Sequence, residues 1–161
     1  MKRIYTLLLT LCVAVSAFAQ NGKDLYKKYS DLPEVSAVYI SPAMFRIIGR
    51  LPEMELRDDN VDLVPIIRSM TGFYLLSSET EPVCGNLYNE VSRLVDRGKY
   101  ELLLESKENG SVTRLYSVGG DSVITSLVFL SKDGSEVTYI GIDGQMDRAE
   151  LENILAEAAG N

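Results

Sequence analysis

Apolar positions recur along this chain in two rhythms, one helical and one alternating. Residues 23–29 place Leu25, Tyr26 and Tyr29 at helical spacing, and Pro33 stops that helix. Residues 34–40 alternate through Val35, Ala37, Val38 and Ile40, which predicts a strand. Ser41-Pro42 is a helix start: the serine caps, and proline occupies the first turn without losing a useful N–H. Met44, Phe45, Ile48 and Leu51 are the expected buried stripe of that helix. A helix over 63–70, with Pro65 in its first turn, and a strand over 72–79 follow. Across 82–97, Cys84, Leu87, Tyr88, Val91, Leu94 and Val95 fall on one face, and Gly98 reads as the C-cap.

Beyond Gly98 the alternating rhythm takes over. Strands are predicted at 100–105, 112–118, 123–130 and 137–142, separated by Asn109-Gly110, Gly119-Gly120-Asp121 and Asp133-Gly134. The third is apolar on both faces, with Val123, Leu127 and Phe129 against Ile124, Val128 and Leu130, so it is expected in the centre of a sheet. Three short turns between four strands predict an antiparallel meander. Residues 143–146 read as a turn into a last helix. Asp147 and Glu150 form a capping-box-like pair there, and Met146 can staple onto Leu151. Leu151, Ile154, Leu155 and Ala158 are expected to face the sheet. The fold class is therefore α+β: a single, mostly antiparallel sheet, with a C-terminal four-stranded meander and helices packed on it. No internal repeat or low-complexity segment interrupts it.

The first 19 residues follow neither rhythm. Lys2 and Arg3 precede a mostly apolar run from Ile4 to Val15, and Ala17-Phe18-Ala19 has the small-x-small form of a signal-peptidase site. The run is short of the ~20 residues that span a bilayer. Residues 1–19 are therefore read as a cleaved signal peptide, with the cut between Ala19 and Gln20. Residues 20–161 form a single domain, periplasmic or secreted and not membrane-spanning. Cys12 has no small residue directly before it, so it reads as part of the departing peptide and not as a lipid-bearing cysteine. Cleavage lowers Lys+Arg from 16 to 14 against 23 Asp+Glu, a formal charge of −9. That balance suits neither nucleic acid nor anionic lipid. Cys84 alone remains, so packing and not a disulfide must hold the domain.

Candidate chemistry is thin. The chain has no His, the commonest neutral-pH base and metal ligand. Phosphate-binding glycine loops and a nucleophile elbow are absent from the sequence. Cys84 reads as a packed thiol. Residues 52–62 form an acidic segment whose Asp58, Asp59 and Asp62 are the candidates for a small carboxylate-dependent hydrolase, although the segment reads better as a solvated connection. The remaining Asp and Glu are expected in turns, loops or solvent faces. Asp133-Gly134-Ser135-Glu136 and Asp143-Gly144-Gln145-Met146-Asp147 faintly resemble cation loops and are read as turns. Nine Tyr are spread over most elements without clustering. No catalytic, cofactor-binding or metal-binding residue is assigned, and no cofactor is expected.

Residues 35–45, Val-Ser-Ala-Val-Tyr-Ile-Ser-Pro-Ala-Met-Phe, resemble the opening of the family called domain of unknown function 4252. Tyr139-Ile140-Gly141-Ile142-Asp143-Gly144-Gln145-Met146-Asp147, leading into Glu150-Leu151, resembles its ending, with a less acidic turn. The resemblance spans the mature chain and implies a small exported protein of Bacteroidetes, with no catalytic residues to carry over. Such genes often neighbour those of extracytoplasmic-function sigma factors, which implies envelope stress or surface signalling. In those bacteria Asp121-Ser122-Val123 has the form of an O-glycosylation acceptor; an ordinary hairpin residue is the simpler reading of Ser122. The expected function is a non-catalytic binding or interaction domain of the cell envelope, with an envelope protein as its possible partner. The alternatives are the carboxylate hydrolase and a self-assembling structural envelope protein.

Overall fold

The computed structural model describes residues 22–49, 57–58, 61–62 and 64–159. The signal peptide with Cys12, the Ala19–Gln20 cut, Leu51 and Asp59 lie outside the described residues. In chain order the elements are α1 (Gly22–Tyr29), β1 (Ser36–Ile40), α2 (Pro42–Ile48), β2 (Arg57–Asp58), β3 (Val61–Asp62), α3 (Val64–Ser69) and β4 (Met70–Ser78). They continue with α4 (Val83–Arg97), β5 (Glu101–Glu108), β6 (Ser111–Gly119), β7 (Val123–Asp133), β8 (Glu136–Asp147) and α5 (Arg148–Ala159). One six-stranded sheet has the order β1-β4-β8-β7-β6-β5, and every neighbouring pair is antiparallel. The α+β class and the C-terminal meander are as the sequence predicts. The β5–β6 turn uses Asn109 and Gly110 at φ of 48° and 90°, the left-handed pair a two-residue hairpin needs.

Each face of the sheet carries its own core. On the first, Leu25 and Tyr29 of α1 and Cys84, Leu87, Val91, Leu94 and Val95 of α4 pack on Tyr74, Leu76, Val128, Leu130, Val137 and Tyr139. This is the predicted stripe of the 82–97 segment. On the second, Ile66 of α3 and Leu151 of α5 pack on Ile124, Leu127 and Met146, with Ile154 and Leu155 alongside. The C-terminal helix thus docks on the meander as expected. Its start is capped by Asp147, whose Oδ1 accepts from the Glu150 N–H at 3.0 Å. Arg148 ties that start to the β6–β7 turn: its N–H donates to Ser122 O at 3.0 Å and its Nε to Gly120 O at 3.1 Å.

Several expectations are corrected. The stretch 143–146 is not a turn: β8 runs on to Asp147, paired with β4 at Asp143 and Gly144 and with β7 at Asp143 and Met146. Partners on both sides satisfy its backbone groups, and that outweighs the turn preference of Asp-Gly. Gly144 is there for close approach, because a Cβ would lie 2.6 Å from Ser69 O. In β7 the register shifts between Ile124 and Ser126, and this bulge reverses the side-chain parity. Ile124 therefore joins Leu127 in the second core, while Val123 is exposed. In α2 the Ser41 cap forms, its side chain accepting from the Met44 N–H at 3.3 Å. Among the described residues of the expected α2 stripe, Phe45 is buried, Ile48 is partly buried and Met44 is 48% exposed. Gly98 closes α4 in an extended conformation, not as a left-handed cap. The acidic segment holds a short ladder, Arg57 opposite Asp62 and Asp58 opposite Val61.

Candidate functional site

Three places on the described residues gather functional side chains. The first is a tyrosine–aspartate cluster on the α1/α4 face. Asp143 on β8 points to this face, where burial pushes its carboxyl above the usual aspartate range while the Ser126 and Tyr74 hydroxyls pull it back. Burial, with Asp143 nearby, pushes the Tyr74 phenol up to about 12. Tyr100 is raised by burial and then by Asp143, and Tyr139 by burial and then by Tyr100 and Asp143. Tyr139 Oη is buried without a hydrogen-bond partner among the described residues. Gly141 makes room for it, since a Cβ there would collide with that oxygen. Tyr26, Tyr39 and Tyr74 adjoin as a second aromatic group, with Tyr39 stacked on Tyr74 at 5.4 Å between centroids. The tyrosines that look scattered in the sequence are thus gathered. Asp143, expected in a turn, is a half-buried acid.

The second place is a cleft of about 370 Å³ between α1 and α4, lined by Lys28, Tyr29, Leu32, Asn86, Glu90 and Arg93. Its carboxylate is engaged: Glu90 Oε2 accepts from Lys28 Nζ at 2.6 Å and from Tyr29 Oη at 2.7 Å. These contacts bolt α1 to α4.

The third is an open stretch of the sheet's second face. Directly opposed residues of neighbouring strands share a face. Register therefore aligns one apolar row across all six strands: Val38, Leu75, Ile140, Phe129, Leu115 and Leu104. The next row on that face is made only of hydroxyls: Ser36, Ser77, Thr138, Ser131, Thr113 and Ser106. Neither row belongs to either core. The row ends Val38 and Leu104 are 46% and 47% exposed, and the inner members remain partly exposed. Among the described residues, α3 and α5 cover the neighbouring part of this face, around Ile124, Leu127 and Met146. The hydroxyls bond along the row, Thr138 Oγ1 to Ser77 Oγ at 3.3 Å and Thr113 Oγ1 with Ser131 Oγ at 3.1 Å. Twelve positions on six strands thus carry no charge.

The sequence already carries the signal for these rows. Each strand holds a hydroxyl residue two positions from an apolar one, as in Ser36-x-Val38, Leu75-x-Ser77, Leu104-x-Ser106, Thr113-x-Leu115, Phe129-x-Ser131 and Thr138-x-Ile140. Only the register shows that the pairs line up. The other candidate residues scatter. Asp58 and Asp62 are described by backbone alone, so the side chains of the expected carboxylate group are outside the description. Among the described residues no three His, Cys, Asp or Glu side chains come together as a metal site, and no helix is long and apolar enough to cross a membrane. Cys84 is fully buried, and its Sγ donates to Ser78 O at 2.9 Å. Asp121 and Ser122 form an exposed bend between β6 and β7, and Val123 opens β7. No curated protein matches the chain. A family model matches residues 27–154, a span that holds every strand of the sheet and both of its cores apart from Leu25 and the partly buried Tyr26 and Leu155. By that match the chain belongs to the family described as Domain of unknown function (DUF4252).

Proposed function

We propose that the protein is an exported, non-catalytic interaction module of the bacterial cell envelope, and that it binds through the open sheet face. The observation that carries this reading is the pair of uncharged rows, one apolar and one of hydroxyls, left outside both cores. Contiguous exposed apolar surface on a soluble domain marks a place of association. An uncharged centre with a polar border matches the make-up of interface cores. Export rests on the basic, apolar and small-x-small succession of residues 1–19. The reading against catalysis rests on the absence of His and on the surroundings of Asp143, whose carboxyl is raised by burial and drawn back by the Ser126 and Tyr74 hydroxyls.

Two measurements test this. N-terminal sequencing of the protein from an envelope or medium fraction should begin at Gln20; a chain retained in the cytoplasm with Met1 in place overturns export. A photoreactive residue at position 131 in the producing cell should give a cross-linked species, whereas the same residue at Asn89, exposed on α4 across the sheet, should not. Adducts from position 89 alone, or from neither position, overturn the choice of face.

A further inference from the structure

We infer that the occupant of the open face is a second copy of this chain, laid sheet against sheet as a twofold dimer. The inference rests on that face being the binding surface, and it adds the identity of the partner. Three observations favour self-association.

The first is charge. The chain carries 23 acidic against 16 basic residues, so two copies repel over most of their surfaces. The two open rows carry no charge at any of twelve positions, so here copies can meet without that cost. Acidic groups border the hydroxyl row at Asp133, Glu136 and Glu108, all exposed, and Glu136 Oε1 reaches back to accept from Ser77 Oγ at 3.5 Å.

The second is self-complementarity. A twofold interface must present one surface to itself. A hydroxyl both donates and accepts, so a Ser/Thr row can pair with its own copy, whereas a row of one charge cannot. An apolar row needs no complement beyond shape. The six-stranded width suits the aligned packing of two sheets about 10 Å apart.

The third is area. With strands ~4.8 Å apart and same-face residues ~7 Å apart, two rows over six strands give a flat footprint of roughly 400 Å². Side-chain relief raises the accessible area to about 600 Å² per copy, or about 1,200 Å² in a pair, the lower end of specific interfaces. Area does not set affinity, so association has to be followed over a wide range of concentration. The β5 edge is a poorer route, because that strand carries Glu101, Glu105, Lys107 and Glu108.

The test is sedimentation of the exported protein, purified as the cell processes it, from about 1 µM to 500 µM. The mass should double over that range. Ser131→Arg should keep it at the monomer value throughout, with an unchanged far-UV circular dichroism spectrum, while Asn89→Arg should follow the wild type. A wild type that stays monomeric to 500 µM, or a Ser131→Arg variant that dimerises like the wild type, overturns the inference. If Ser131→Arg does not fold, Ser131→Cys with a bis-maleimide of ~10 Å reach decides. A cross-linked dimer in the native protein supports the face, and its absence overturns it. Cys84 is buried and does not compete. A monomer in solution whose position 131 cross-links in the cell to a chain of another mass sinks the dimer and leaves the interaction reading standing. No adduct in the cell sinks both.

Discussion

Tyr139 is the largest of the fully buried side chains, and its hydroxyl has no partner among the described residues. A buried polar group that makes no hydrogen bond forfeits its hydration, which outweighs the small transfer difference between tyrosine and phenylalanine. Tyr139→Phe should therefore stabilise the protein by about 1 kcal/mol, a rise of a few degrees in Tm; a fall shows that the hydroxyl does find a partner. Asp143 makes a pH-dependent case. Its folded carboxyl is raised, first of all by burial, so the folded state holds the proton more tightly than the unfolded chain. Stability from this group is thus fully present below the unfolded value of about 4 and is lost as pH rises through the folded value. Asp143→Asn removes that loss. The variant should match the wild type near pH 3 and exceed it in Tm at pH 7, the gap opening from about pH 4 upward. A variant less stable than the wild type at pH 7 refutes burial as the dominant influence on this carboxyl.

At the scale of elements, α5 depends on docking. A helix of 12 residues is marginal in isolation. Leu151, only 6% exposed among Ile66, Ile124, Leu127 and Met146, is its anchor. Leu151→Ala should cost about 2–4 kcal/mol, read from the denaturation midpoint. Ending the chain after Asp147 leaves all of β8 in place and uncovers the second core, so Tm should fall by more than in Leu151→Ala. An unchanged Tm after truncation means the helix is a free arm. The same helix shows how short-range signals combine: Asp147 caps it, Met146 and Leu151 meet in one core, and Arg148 ties its first turn to Ser122 and Gly120.

At the scale of the whole fold, one six-stranded sheet is shared by two cores. β8 contributes Val137 and Tyr139 to one and Met146 to the other, and β7 contributes Val128 and Leu130 to one and Ile124 and Leu127 to the other. Neither face can lose its helices without exposing strands that the other needs. Unfolding should therefore be a single transition. The chain has no Trp, so tyrosine fluorescence reports mainly on the tyrosines gathered on the first face, and far-UV circular dichroism reports on the whole. Leu151→Ala, on the second face, should shift both signals by the same amount. Two separate midpoints mean that the faces melt independently. The proposed twofold contact would use the open face once in each copy, so it would close at two copies and not grow into a fibre.

Local chemistry determined most of the elements. Ser41-Pro42, Asn109-Gly110, Asp133-Gly134 and the Asp147–Glu150 pair act over three or four residues, so their consequences are legible without a fold. The α4 stripe ending at Val95 is legible because one helical period repeats over 12 positions. The meander follows from three turns too short to permit any other pairing. Only the tertiary structure decided the rest, because the deciding partners are distant in sequence. Asp143-Gly144 reads as a turn until β4 and β7 arrive on either side and take its backbone groups into a sheet. The bulge after Ile124 exchanges the faces of Val123 and Ile124, and it is set by pairing with β8, not by the residues at the bulge. Tyr74, Tyr100 and Tyr139 meet Asp143 only when three strands and a loop close around it. The hydroxyl and apolar rows are present in the sequence as six separate dyads, each an ordinary strand fragment. Register between six strands turns them into one surface, and register is a property of the assembled sheet.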